Sequence, residues 1–221
     1  MASKTTRLQA PRIERPRLAG LGDGDAAALA VDADVVGERF TGIDASDRDL
    51  SGAKFGECEF VDVSLDDASL RGARFFDSTL SGMNAPVLRA SRSSWRDVVI
   101  ERSRIGSGEL YDASLQSVHF SHCKIGYLNL RGAVLSDILF TDCAIDELDV
   151  GGATITRLAF ADTSVRMLDV TRATLEHADL RGADLRGVRG VDSLRGATVT
   201  ELQLAELATL LAAQLGIEVQ P

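Results

Sequence analysis

Apolar residues recur at every fifth position along most of this chain. From Phe40 the positions divisible by five run Ala45, Leu50, Phe55, Phe60 and onward through Trp95, Phe120 and Phe140 to Leu175, Leu180 and Leu185, without a polar residue. A helix repeats near 3.6 residues and a half-buried strand at 2, so neither keeps every fifth side chain on one buried face. The position two residues earlier is also mostly small or apolar, as in Ala53, Cys58, Val63, Ala68 and Ala73, while the other three positions collect Asp, Arg, Ser, Thr and Gly. Each pentad therefore turns two side chains inward and three outward. A period of twenty lies over the five. The stretches "GELYDASLQSVHFSHCKIGY", "LNLRGAVLSDILFTDCAIDE", "LDVGGATITRLAFADTSVRM" and "LDVTRATLEHADLRGADLRG" align column by column from residues 108, 128, 148 and 168. Four pentads thus predict one turn of a square coil, with equivalent sides stacked coil on coil.

These residues resemble the pentapeptide-repeat family, whose consensus is close to A-[DN]-L-x-x. The resemblance covers about residues 38 to 187 and implies an all-β fold, a right-handed quadrilateral parallel β-helix. Coils spaced like neighbouring strands, about 4.8 Å apart, give a rod of roughly 36 Å, held by nearest-neighbour stacking and exposing a sticky edge at each end. The covers are legible. After Leu185 the phase slips, because "VRGVDSLRG" puts Leu194 rather than residue 195 in the apolar slot. A helix follows: Thr200 and Gln203 fit a capping box, and Leu204, Leu207, Ala208, Leu211 and Leu215 form a stripe expected to lie on the last coil. The organisation is read as a mobile basic arm over 1–17, an N-terminal cap over 18–37, the β-helix over 38–194, and a capping helix with tail over 195–221. In "GMNAPVLRASRSSW" the central residues shrink to Ala85 and Ala90 while Met83 and Leu88 grow. This predicts the same core filled differently, with Pro86 outward, against the alternative of a short interrupting loop. Trp95 is expected inward and Arg131, Arg157 and Arg166 outward.

Composition narrows the function classes. Of 221 residues 45% are hydrophobic but only 5% aromatic, so the core is built from small and medium side chains. No run approaches the length of a membrane span, and the start "MASKTTRLQAPRIERPRL" has no signal-peptide core, which predicts a soluble cytoplasmic protein. The net charge of −9 argues against a general nucleic-acid binder. It is uneven: Lys4, Arg7, Arg12, Arg15 and Arg17 against Glu14 give residues 1–17 a charge of +4, leaving −13 for the rest.

Candidate chemistry does not survive the predicted geometry. Cys58, Cys123 and Cys143 fall in the inner small position as compact hydrophobes; Cys123 and Cys143 stack, yet free thiols are expected in a reducing compartment. In "HFSHC" the phase sends His119 and His122 outward and Cys123 inward, so one metal ion would not reach all three. His122, Asp142 and Asp162 form an outer column that reads as a solvated ladder. No nucleophile elbow, phosphate loop or paired-Cys motif is present. The expectation is a non-enzymatic chain with no catalytic residue, metal or cofactor.

Two functions remain. One is a protein-interaction scaffold with an unidentified partner. The other is implied by the family resemblance: some members mimic duplex DNA, bind gyrase and protect it from quinolones, often as dimers joined by a C-terminal helix. The candidate surfaces are the acidic columns Glu109, Asn129, Asp149, Asp169 and Asp77, Asp97, Asp137, and the basic belt around Arg89, Arg92 and Arg96. Leu202 and Leu210, which lie off the capping stripe, are the candidate dimer contact, with a capped monomer as the alternative. Charge disfavours bulk mimicry. Residues 38–187 carry 24 acidic and 17 basic side chains, net −7, whereas about 36 Å of duplex carries about −21, and residues 85–107 are net +3.

Overall fold

Five residues make one side of a coil because the central residue of each pentad points inward and the residue two further on turns the corner. Those corner residues have left-handed backbone: Asp112, Ser117 and His122 in one coil, Gly132, Asp137 and Asp142 in the next, all with φ between 50° and 66°. At the fourth corner Asp47 and Asp67 turn the same way in the lower coils, whereas from Val87 upward the strand passes through without a positive φ. Among the described residues eighteen non-glycine residues hold a positive φ, and ten are Asp. A short polar side chain that bonds its own backbone tolerates this conformation better than a branched or bulky one.

In this computed structural model, which describes residues 7–218, the coils stack as two parallel sheets. One contains Arg74–Ser81, Ser94–Glu101, Ser114–Ser121, Val134–Thr141, Thr154–Ala161 and Thr174–Asp179; the other contains Asn84–Arg89, Arg104–Glu109, Lys124–Asn129, Ala144–Asp149 and Thr163–Asp169. The register is twenty residues throughout this stack, as in Leu115 against Leu135 and Ile125 against Ile145. Every fifth residue from Phe40 to Leu180 is buried. Stacking equivalent sides also stacks rings: Phe75 lies 4.2 Å from Trp95 and Phe120 4.8 Å from Phe140, each pair within 10° of coplanar. The middle is uninterrupted. Asn84–Arg89 pairs in the common register, Met83 and Leu88 fill the core beside Ala85 and Ala90, and Pro86 faces out just before the corner residue Val87, at a position the ladder skips. Trp95 is inward, and its Nε1 donates to Ser93 Oγ at 2.7 Å.

Both ends are covered. At the start, Gly22–Asp23 pairs with Glu38–Thr41, Asp25 caps the short turn Ala26–Ala28, and Leu29 is buried against the first coil. At the other end the register drops to nineteen, Ala178 pairing with Ala197, which is the slip foreseen from Leu194. Gly196 makes this fit: its φ is +91°, and a Cβ there would lie 2.0 Å from the Leu175 carbonyl. The helix α1, Glu201–Gln214, begins at Thr200 in the expected capping box. Its buried face differs from the expected stripe. Gln203 and Leu207 are buried and Leu211 is partly covered, whereas Leu204 and Leu215 are exposed. The reason is polar: Gln203 Nε2 donates to the carbonyls of Leu180 and Ala183 at 2.7 and 2.8 Å, which turns the helix toward that side.

The N-terminal segment also differs from the mobile arm that was expected. Residues 7–21 lie along the rod, and Leu8, Pro11, Ile13, Pro16, Leu18 and Leu21 are each partly buried while the charged residues between them face out. The two prolines and the run of basic residues read as disorder, but the partly buried residues recur in steps of three and two along the segment. Lys4, with residues 1–6, and the end of the tail at 219–221 lie outside the described residues.

Candidate interaction surface

The acidic corner column is where the arm sits. Going up the rod, one corner presents Glu57, Asp77, Asp97, Ser117, Asp137 and Arg157, all in the left-handed conformation. Arg12 N donates to Asp137 Oδ1 at 2.8 Å, and Glu14 N donates to Ser117 Oγ at 2.9 Å. Two arm residues thus advance one coil, with the chain running down the column; Ile13, Glu14, Arg15 and Arg17 line a hollow with Glu57 and Asp77. Asp137 is the best-held member. It also takes Arg157 Nε at 2.5 Å and Nη2 at 2.7 Å, and Arg157, expected outside, is largely covered. Burial pushes the Asp137 carboxyl up, but the hydrogen bonds from Arg157 and the Arg12 N–H outweigh it and hold the group below the ordinary carboxylate value.

Beside this corner two outward positions are sealed. Val99 is 7% exposed and His119 5%, although the inward neighbours Val98, Ile100, Val118 and Phe120 show that both point away from the core. His119 faces outward as its phase predicts, but it is covered rather than open to solvent. The arm runs over this face, and His119 is held below its ordinary basicity first by burial and then by the Arg15 charge. Its Nε2 lies 3.0 Å from Thr141 Oγ1, while His119 Nδ1 and Thr79 Oγ1 are buried with no hydrogen-bond partner.

The second acidic column is a structural device. Asp149 is 5% exposed and Asp169 8%, because each sits just before a central residue and accepts the backbone N–H two residues on: Gly151 N to Asp149 Oδ1 and Thr171 N to Asp169 Oδ1, both at 2.9 Å. Asn129 makes the same turn with Arg131 N, and Glu109, one coil below it, is half-buried. Asp149 is further clamped by Arg131 Nη1 at 2.9 Å and Tyr127 at 3.3 Å. These turns are the physical reason for an Asp or Asn before the central residue. They also remove Asp149 and Asp169 from the outer surface offered by the sequence.

The basic belt wraps one level of the rod and is partly paired. Arg89 reaches Asp67 at 2.5 Å, Arg102 reaches Glu101 at 2.8 Å, and Arg96 lies 3.6 Å from Asp97 and over the Phe76 ring; Arg92 is exposed. The structure does not bring the belt and the buried acidic turns into one site. Cys58, Cys123 and Cys143 are buried free thiols. His122 faces out 3.5 Å from Asp142, and among the described residues no three potential ligands cluster around a metal position. Leu202 is 71% exposed and Leu210 41%; Leu210 borders a shallow hollow with Leu207 and Leu185. No described helix is long and apolar enough to cross a membrane.

A square parallel solenoid with side chains filling its interior is a repeat protein whose only working surface is its outside. The chain belongs to the pentapeptide-repeat family: a pentapeptide repeat region model matches residues 113–189, and a model of eight pentapeptide repeats matches residues 49–82. A sequence comparison with curated proteins gives no match. Among solved structures, full-length QnrB1, a plasmid-mediated fluoroquinolone resistance protein, is 20% identical, with a TM-score of 0.40 over 88% of this chain and 95% of its own. HetL, a pentapeptide-repeat protein involved in heterocyst differentiation regulation in Nostoc sp. strain PCC 7120, is also 20% identical, with a TM-score of 0.38 over 76% of this chain and 90% of its own.

Proposed function

We propose that the protein is a non-enzymatic interaction scaffold whose partner docks on an outer face of the rod. The observation that carries this is the fixed outer charge pattern. Arg39 with Glu59, Lys54 with Asp34, Arg89 with Asp67 and Arg157 with Asp137 each join neighbouring coils, so outward side chains are held in columns on a rigid frame. Such columns offer preorganised contacts at low ordering cost. Full-length protein on beads should capture a partner that Arg89→Glu with Arg96→Glu releases while circular dichroism is unchanged. Failure of every face variant to alter any captured protein would remove the scaffold assignment.

Mimicry of DNA toward gyrase finds little support in the same surface. Asp149 and Asp169 are spent on turns, Asp137 on Arg157 and the arm, and the belt interrupts the acidic field. We expect neither gyrase supercoiling nor ciprofloxacin-induced cleavage to change at micromolar protein; inhibition there would reinstate the mimic.

Exposed apolar surface on α1 supports self-association. Leu202, Leu204, Leu210 and Leu215 all face out, and an isologous contact lets one patch serve both copies. Light scattering of the intact chain should give a dimeric mass that Leu210→Glu halves. A monomeric mass at high concentration would remove the dimer.

A further inference from the structure

We propose that the corner column Glu57, Asp77, Asp97, Ser117, Asp137 is a track for an arginine-rich chain, and that residues 7–18 are its resident occupant, displaced when an external segment of that chemistry binds. The periodicities of the two partners match. One coil of the track advances per two arm residues, so the alternate N–H groups of Arg12 and Glu14 meet Asp137 and Ser117 on successive coils. The next alternate residue is Pro16, which has no N–H to offer the following level. Asp97, at that level, has only a 3.6 Å pairing with Arg96. The charges are complementary: Arg7, Arg12, Arg15 and Arg17 against Glu14 on the arm, four carboxylates on the track. Every apolar arm residue from Leu8 to Leu18 other than Ala10 is partly buried, so the seat reads shape as well as charge.

The resident fits imperfectly, which makes it replaceable. Beneath it His119 Nδ1 and Thr79 Oγ1 remain unpartnered, a cost that an occupant with a suitable polar group would avoid. The arm holds its place because it is tethered, competing at an effective concentration on the order of millimolar. An external partner must bring more arginines, an N–H in place of Pro16, or both. This deepens the scaffold assignment by naming the chemistry of the partner, and it rests on that assignment for its biological meaning. Its test is separate: loss of lysate capture would remove the scaffold and leave the track standing.

The experiment uses the full chain, the Arg15→Glu/Arg17→Glu variant, and a fluorescein-labelled peptide RLQAPRIERPRL. In the variant, the amides of Arg12 and Glu14 should lose hydrogen-exchange protection while those of Phe120 and Phe140 keep it. The peptide should then bind the variant at least tenfold more tightly than the wild type, and more weakly as salt rises. A second variant, Asp77→Lys/Asp97→Lys, should release the arm and yet not bind the peptide; Arg157 occupies the equivalent corner, so the backbone accepts a long cation there. Protected arm amides in the first variant, peptide binding that is equal or absent in wild type and first variant, or peptide binding by the second, would each overturn the proposal.

Discussion

His119 is harder to protonate in the folded chain than in the unfolded one, because its ring is covered beside the arm and its charged form would lose water. Burial lowers its basicity first and Arg15 adds to this, with Glu101 opposing and His122 assisting. The folded value therefore lies below the unfolded one of about 6.5. Above that pH the folded chain loses nothing; as pH falls below it, protons bind preferentially to states in which His119 is open, and the arm loosens. An NMR titration should place the His119 midpoint below 6.5, and Arg15→Ala should raise it. A midpoint at or above 6.5 would contradict the sealed seat. In the core, Phe140 stacks between Phe120 and Phe160, and Phe140→Ala should cost roughly 3–5 kcal/mol in urea unfolding; a loss under 1 kcal/mol would contradict the inward assignment. Central residues such as Phe140 were legible because a period of five leaves one fold that buries them all. Asp149 was not, since a turn-forming Asp and a solvated Asp look alike in sequence until a backbone N–H is seen to claim the carboxylate.

Among the elements, α1 shows how one polar residue redirects an apolar helix. Leucines occupy several sides of it, so hydrophobicity alone leaves its rotation loosely set, and the carbonyls of Leu180 and Ala183 decide the matter through Gln203. The capping box was legible because it is a local pattern; the second role of Gln203 depends on carbonyls twenty or more residues away. Gln203→Ala should cost about 2–3 kcal/mol by leaving buried acceptors unpaired. In a repeat protein that loss stays near the end. Hydrogen exchange should speed up at the amides of Leu180 and Thr198 and stay unchanged at Phe120, whereas uniform acceleration would show that the cap supports the whole stack.

For the molecule as a whole, the arm converts a chain of neighbour contacts into a tied bundle. Coils normally exchange stability only with adjacent coils, but the arm spans from the first coil to Asp137 and couples levels that do not touch. Trp95 is the single tryptophan and reports its own level, while far-UV circular dichroism reports all strands. Both probes should give coincident urea transitions in the wild type and separate ones in Arg15→Glu/Arg17→Glu; coincidence in both proteins would mean that the tie carries no coupling. The arm's seat was invisible in sequence because Arg12 and Asp137 are 125 residues apart and share no motif. That separation also orders events during synthesis. Arm residues leave the ribosome before any of their acceptors, and at about 5–20 residues per second Ser117 and Asp137 follow Glu14 and Arg12 by roughly 5 to 25 s. For that interval the nascent rod grows coil by coil with a free cationic leader, and the strap is the last of these contacts to close.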